Sequence, residues 1–128
     1  MTAPGKLESK RILLVDDLPE VREMTRLMLQ LDGHVVEEAR NGKEALALYA
    51  PGRFDLVITD YLMPIMRGDE LARNIKRQAP TEPILMITGS AQELDRIGEH
   101  VDAVLGKPFG FEDLRQAVAR LLYTALAA

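Results

Sequence analysis

Charged and hydroxyl side chains stand at the ends of several apolar runs in this 128-residue chain. Asp16 and Asp17 follow the run ILLV, and Asp60 follows LVIT. Thr88 ends the run ILMIT, and Lys107 comes shortly after AVL. Carboxylates that meet at one place repel each other unless a cation joins them. If these residues share one site, the sequence predicts a bound metal ion with an ammonium and a hydroxyl group beside it.

The elements that would position these residues alternate along the chain. Continuous apolar runs of strand length are typical of buried parallel strands, and they predict strands at 11–15, 35–39, 54–59, 83–88 and 103–105. Helical periodicity and terminal signals predict helices from Pro19 to Gly33, from the cap Asn41 to Pro51, and over 69–78 and 111–126. The sequence therefore predicts an α/β fold: a doubly wound, five-stranded parallel sheet with helices on both faces.

The order of the strands decides whether the polar residues meet. Right-handed crossovers favour the flavodoxin-like order 2-1-3-4-5, which places strand 1 beside strand 3. In such a sheet, ligands bind outside the carboxyl ends of the strands, at the point where the strand order reverses. Asp16, Asp17 and Asp60 are therefore expected to converge there, with Thr88 and Lys107 on the same rim.

Composition excludes several other classes of function. The net charge is −4, and no basic run could follow a phosphate backbone, so we expect no direct binding of nucleic acid. The chain has no cysteine, which excludes disulfides and thiolate chemistry. No signal peptide or membrane span is apparent, and we expect a cytoplasmic protein without membrane contact. Residues 1–10 are predicted to be a tail or a linker remnant, and residues 11–126 a single domain.

Five motifs occur in order along this domain. They are VDD at 15–17, TDYLMP at 59–64, MRGDEL at 66–71, ITG at 87–89 and GKPF at 106–109. Together they resemble the receiver domain of two-component response regulators, including the chemotaxis regulators. The resemblance spans about 11–126, and each motif falls at the predicted end of a strand or beside it.

The resemblance implies a phosphorylation site. Asp60 would be the phosphoacceptor, and it would take the phosphoryl group from a phosphohistidine on a histidine kinase or a histidine phosphotransfer protein. Lys107 and the Thr88 hydroxyl would each neutralise or bind one phosphoryl oxygen. The implied function is a switch in partner binding, with no enzymatic activity other than the phosphorylation and dephosphorylation of Asp60 itself.

The resemblance also implies a Mg²⁺ cofactor. Asp17 and Asp60 would bind the ion directly, Asp16 would act through water, and the backbone carbonyl of Leu62 would supply a further oxygen ligand. Oxygen ligands from one or two carboxylates, together with phosphate and water, are what Mg²⁺ usually takes in proteins.

Some positions depart from the family pattern. The residue three places before Lys107 is usually aromatic, whereas this chain has Val104. At two positions that modulate how fast water reaches the acyl phosphate, the chain has Leu62 and Ser90. The stretch between Thr88 and the lysine is shorter than usual, so we expect a short or irregular helix between strands 4 and 5. We expect a monomer, with activation-dependent dimerisation as the alternative.

Simpler interpretations compete with each assignment. Asp17 could be a helix N-cap, Thr88 a strand-forming residue, and Lys107 a solvated charge. Pro108 favours instead a specific turn after the lysine, with a cis peptide bond as one form of it. His34 and His100 are expected at surface ends of elements, outside the chemistry.

Other classes of function were weighed on the same residues. Adjacent Asp16 and Asp17 do not match a haloacid-dehalogenase-like phosphohydrolase, which needs one residue between its aspartates. A flavodoxin would need a phosphate-binding loop after strand 1, and the P-loop motif is absent. The remaining alternative is a receiver-fold interaction module in which phosphorylation is secondary.

Overall fold

Five parallel strands form the centre of the molecule in a computed structural model that describes residues 9–93, 97, 98 and 100–127. They are β1 (Arg11–Val15), β2 (Val35–Ala39), β3 (Leu56–Asp60), β4 (Ile84–Thr88) and β5 (Ala103–Gly106). The sheet order is β2-β1-β3-β4-β5, which confirms the predicted topology. The predicted tail lies mostly in 1–8, outside the described residues.

Within the part of the chain that the structure describes, four α-helices with defined bounds connect or follow the strands: α1 (Pro19–Leu31), α2 (Gly42–Leu48), α3 (Gly68–Gln78) and α4 (Phe111–Ala127). Asn41 caps α2 as predicted, because its side-chain oxygen accepts the Glu44 backbone N–H at 2.8 Å. This helix ends before the predicted Pro51, since Tyr49 adopts an extended conformation and stacks on Phe54. Among the described residues, no helix has the length and apolar character needed to cross a membrane.

Alternate residues of each central strand face opposite sides of the sheet, and each side has its own core. Ile12 and Leu14 pack in the layer that contains Leu29 of α1 and Leu114 of α4. The other layer contains residues of α2 and α3 packed on the central strands, among them Leu13, Val15, Ala45, Val57, Leu71 and Ile75. Helices therefore cover both faces, and both layers hold the strand ends in register.

The segment between β4 and β5 is described only in part. A three-residue 3-10 turn, Ala91–Glu93, follows β4, and residues 94–96 and 99 lie outside the described residues. The expected short or irregular helix falls mainly on residues outside the described ones. Val104, in the position where the family usually has an aromatic residue, is 41% exposed on β5.

Gly68 places the start of α3 directly against the end of β3. Its backbone N–H donates to the Tyr61 carbonyl at 2.8 Å. A Cβ atom at this position would clash with the backbone carbonyl oxygen of Asp60 and lie 2.7 Å from the Met86 sulfur. Only glycine permits this approach, so α3 fixes the backbone that carries the Asp60 side chain.

Candidate functional site

Three carboxylates meet where β1 and β3 end. The two strands pair in parallel, with Val15 opposite Thr59, so the residues that follow them lie side by side. One carboxylate oxygen from each of Asp16, Asp17 and Asp60 lies within 4.8 Å of the others. The predicted convergence of these residues is therefore observed, and it follows directly from the strand order.

Asp16 is the most constrained member of the cluster. It is 2% exposed, and its Oδ1 accepts the Leu18 N–H at 2.9 Å, while its backbone carbonyl accepts from Arg22 Nη1 at 2.8 Å. Burial raises the pKa of Asp16 above its ordinary value, against the opposing effect of the Leu18 hydrogen bond. The group is thus held at the base of the site, with one oxygen already engaged by the backbone.

Asp17 is only half-buried, whereas Asp16 and Asp60 are buried, and one of its carboxylate oxygens belongs to the cluster. The alternative that it serves as the N-cap of α1 is wrong. The N-cap position is Leu18, which makes no side-chain capping hydrogen bond, and Pro19 begins the helix. Asp17 therefore adds a third carboxylate to the cluster without a role in helix capping.

Lys107 reaches into the cluster from the loop after β5. Its Nζ lies 3.0 Å from Asp60 Oδ1, so the alternative of a solvated lysine is wrong. The Lys107–Pro108 peptide bond is cis, one of the forms expected for this turn. Burial raises the pKa of Asp60, the hydrogen bond from the lysine lowers it, and the charges of Asp16 and Asp17 raise it; the resulting pKa is about 6.

The donor set fits a hard divalent cation. Three carboxylates face one ammonium, so the cluster as a whole carries excess negative charge when ionised. Carboxylate oxygens match the preference of Mg²⁺, which usually keeps several waters beside one or two such ligands. Leu62 lies two residues beyond β3 with its side chain 59% exposed. The role of its backbone carbonyl as a ligand stays a prediction.

Thr88 lies on the same rim, at the end of β4. The Lys107 backbone N–H donates to its carbonyl at 2.8 Å, which joins the β4 and β5 ends of the site. Its buried hydroxyl is directed to other partners: Oγ1 lies 3.0 Å from Glu93 Oε1 and 3.2 Å from the Ser90 carbonyl. Sequence analysis missed Glu93, and no local pattern marks it, because the contact depends on how the chain turns after β4.

The loop after β3 has an exposed tip at Ile65. Ile65 has a φ of 75°, which is unusual for a β-branched residue, and it is 73% exposed. Arg67 bonds both carboxylate oxygens of Asp69 at 3.1 and 3.2 Å and lies over the Tyr61 ring at 6.0 Å. These contacts restrain the chain that leaves Asp60.

An apolar groove opens beside Lys107. It lies between α1 and the loop after β5 and has a volume of about 500 Å³. The lining includes Val21, Met24, Met28, Pro108 and Phe109. The Met24 side chain is 57% exposed, and the groove therefore presents apolar surface next to the acidic cluster.

Neither histidine lies in the site. His100 is exposed, as expected, but the expectation for His34 is wrong: it is 4% exposed at the start of β2. Its Nδ1 accepts the Lys10 backbone N–H at 3.1 Å, and burial lowers its pKa. In a parallel sheet, this position lies at the opposite end from the carboxylates.

Comparison with known sequences gives a consistent family. The family model described as "Response regulator receiver domain" matches residues 12–119. Response regulator MprA of Mycolicibacterium vanbaalenii is 38% identical over 115 residues, which cover 88% of this chain and 50% of that protein. Transcriptional regulatory protein ResD of Bacillus subtilis is 33% identical over 90% of this chain and 49% of its own length. The chain thus spans about half the length of these relatives.

Comparison with solved structures agrees. TrrA of Thermotoga maritima, in complex with Mg²⁺ and BeF, has a TM-score of 0.83 and 37% identity over 88% of this chain and 99% of that one. Chemotaxis response regulator CheY4 of Vibrio cholerae has a TM-score of 0.79 and 36% identity, over 90% and 100% of the two chains. The receiver domain of a signal transduction histidine kinase from Syntrophus aciditrophicus has a TM-score of 0.82 and 32% identity, over 93% and 94%.

Proposed function

Because this chain belongs to the receiver domains of two-component response regulators, we propose that Asp60 is the residue that accepts the phosphoryl group. The observation that carries the proposal is the 3.0 Å contact between Lys107 Nζ and Asp60 Oδ1 inside a cluster of three carboxylates. Phosphoryl transfer depends on positioning and on neutralising charge on the equatorial oxygens. A carboxylate beside a fixed ammonium and a cation site meets both needs.

The transfer step requires an ionised Asp60. Its carboxylate oxygen attacks the phosphorus of a phosphohistidine on a histidine kinase or a histidine phosphotransfer protein. The new O–P bond forms as the P–N bond breaks, and the electron pair of that bond stays on the imidazole nitrogen. With a pKa of about 6, Asp60 is mainly ionised at neutral pH, and the contact with Lys107 holds the attacking group in place.

The surrounding residues divide the neutralisation of charge among them. Asp17 and Asp60 would hold Mg²⁺ directly, Asp16 through water, and the Leu62 carbonyl would add a ligand. When bound, the ion supplies positive charge to one phosphoryl oxygen. Lys107 would donate to a second oxygen.

The Thr88 hydroxyl, at the end of the neighbouring strand, would donate a hydrogen bond to a third oxygen.

We propose no enzymatic activity beyond the phosphorylation and dephosphorylation of Asp60. The complete set of charged groups supports the phosphoacceptor function over a module in which phosphorylation is secondary.

The apolar groove between α1 and the loop after β5 supports a protein as the phosphodonor. Lys107 contributes to both the groove and the phosphorylation site, so a partner seated there would reach Asp60 with its phosphohistidine. The lining is mainly aliphatic and thioether side chains at helical spacing on α1, which suits a helix with an apolar stripe. We therefore assign the groove to the helix that carries the donor histidine.

The function is tested by labelling the protein with a small phosphodonor. Incubation with Mg²⁺ and acetyl phosphate should add one phosphoryl group. Hydroxylamine should remove it, because an acyl phosphate is a mixed anhydride that hydroxylamine cleaves. Intact-mass spectrometry measures both steps, with chelation of Mg²⁺ as the control. A folded protein that stays unlabelled, or a label that resists hydroxylamine, would contradict the proposal.

The docking groove makes a separate prediction. In Met24→Glu, docking of an apolar partner helix would bury the new carboxylate, which is unfavourable. The rate of transfer from phosphorylated histidine kinases of the same organism should therefore fall about tenfold or more. Labelling by acetyl phosphate should not change, because Met24 lies on α1 and is not a member of the carboxylate cluster. Met24→Leu is the matched control and should keep normal transfer. Equal rates of kinase transfer to Met24→Glu and wild type would place the donor elsewhere.

A further inference from the structure

The Thr88 hydroxyl has one proton to donate, and its surroundings decide where that proton goes. Glu93 Oε1 lies at 3.0 Å and the Ser90 carbonyl at 3.2 Å, while the Ser90 backbone N–H approaches Oγ1 at 3.4 Å as a donor. A carboxylate is a stronger acceptor than a neutral carbonyl, and here it is also closer. The proton therefore goes to Glu93, and the hydroxyl is engaged before any phosphoryl group arrives.

Glu93 is itself held by the turn that follows β4. Its backbone N–H donates to the Ser90 carbonyl at 3.1 Å, which closes the 3-10 turn Ala91–Glu93. The second carboxylate oxygen, Oε2, is buried and has no hydrogen-bond partner among the described residues. A buried carboxylate oxygen without a hydrogen bond destabilises this conformation of Glu93. The hydrogen bond to Thr88 is therefore easier to break than a fully satisfied one would be.

We infer that Glu93 is a positioning residue that holds the Thr88 hydroxyl away from the phosphorylation site until a phosphoryl group displaces it. The inference rests on the proposed function, since it takes Thr88 as a donor to the phosphoryl group. Beyond that function, it identifies the Glu93 carboxylate as an acceptor that competes with the phosphoryl group for the Thr88 hydroxyl proton.

Two anions compete for a single proton in this arrangement. An acyl phosphate at Asp60 carries about −1.5 to −2 of charge in place of the carboxylate's −1, and it brings strong acceptor oxygens to the strand next to Thr88. If Thr88 donates to the phosphoryl group, the Glu93 carboxylate loses its only hydrogen bond among the described residues and faces a second anion. The carboxylate of Glu93, which is half-buried, should then move away from Thr88, and the turn 91–93 should move with it.

The test measures the affinity for beryllofluoride, a stand-in for the phosphoryl group, in the presence of Mg²⁺. Fluorine NMR on the full chain follows the bound signal during titration. Glu93→Ala should raise the affinity about tenfold, because Thr88 no longer has to give up a charge-assisted hydrogen bond. Glu93→Gln keeps an acceptor but loses the charge, so its affinity should lie between those of Glu93→Ala and wild type.

Controls separate this contact from general effects of charge. Gln92→Ala alters the neighbouring exposed side chain, and Glu112→Ala removes one exposed carboxylate in α4; both should bind like wild type. In a Thr88→Ala background, Glu93→Ala should change the affinity less than about twofold, since the hydrogen bond is already gone. An unchanged affinity of Glu93→Ala, or the same gain without Thr88, would overturn the inference. Wild type that is folded but binds no beryllofluoride would instead overturn the proposed function, and the inference with it.

Discussion

Replacing Asp60 by alanine is expected to abolish phosphorylation by acetyl phosphate. The reason is geometric: among the three clustered carboxylates, Asp60 is the one that forms an ion pair with Lys107 Nζ, at 3.0 Å. Asp16, in contrast, already has one carboxylate oxygen engaged by the Leu18 backbone N–H. Mass spectrometry of wild type and Asp60→Ala under the same conditions makes the comparison.

Asp17→Ala tests the role of the metal independently of the phosphoacceptor. This variant keeps Asp60 and Lys107 but removes a proposed direct ligand, so the Mg²⁺ affinity should fall at least tenfold and labelling should become slow at millimolar Mg²⁺. Asp55→Ala, which removes a carboxylate at the other end of β3, is the control and should label normally. If Asp60→Ala is labelled as well as wild type, the acceptor has been misassigned, and unchanged Mg²⁺ affinity in Asp17→Ala would place the ion elsewhere.

The second expected result is that the metal-free site destabilises the fold at neutral pH. Burial and two neighbouring carboxylates raise the pKa of Asp60 from 3.8 to about 6. The folded protein therefore binds a proton more tightly than the unfolded chain does. The free energy of unfolding should fall as the pH rises from about 4 to above about 6, and Asp16, whose pKa is also raised, contributes in the same direction.

Asp60→Asn removes the ionisation without changing the shape of the side chain. In the presence of a chelator at neutral pH, this variant should be more stable than wild type, by on the order of 1–3 kcal/mol. The difference should vanish near pH 4, where Asp60 is protonated in wild type. Urea unfolding at several pH values measures it, with Asp55→Asn as the control, since the pKa of Asp55 is lowered and its removal should not stabilise.

Mg²⁺ should reverse this instability in wild type. An ion that binds only the folded chain stabilises by mass action, by about 1.4 kcal/mol at ten times its dissociation constant. The melting temperature should therefore rise with millimolar Mg²⁺, and rise less in Asp17→Ala. Two results together would show that the three carboxylates do not form a strained cation site: a wild-type melting temperature that does not change with Mg²⁺, and no increase in the free energy of unfolding in Asp60→Asn.

The sequence alone determined the elements and where they end. Apolar runs and helical periodicity are properties of local sequence, so the five strands and four helices were predicted within a few residues. Chirality and alternation of elements then leave few sheet orders, and the observed order brings Asp16, Asp17 and Asp60 together. The acidic cluster and Lys107 were predictable because each residue stands at a strand end.

The tertiary structure alone decided the contacts that depend on how loops turn. The 3.0 Å contact of Glu93 with Thr88 arises after β4, where no periodic pattern constrains the chain. The burial of His34 follows from packing at the far edge of the sheet. The raised pKa of Asp60 depends on how much water its neighbours exclude. Each of these depends on distances between distant parts of the chain, which local sequence preferences do not encode.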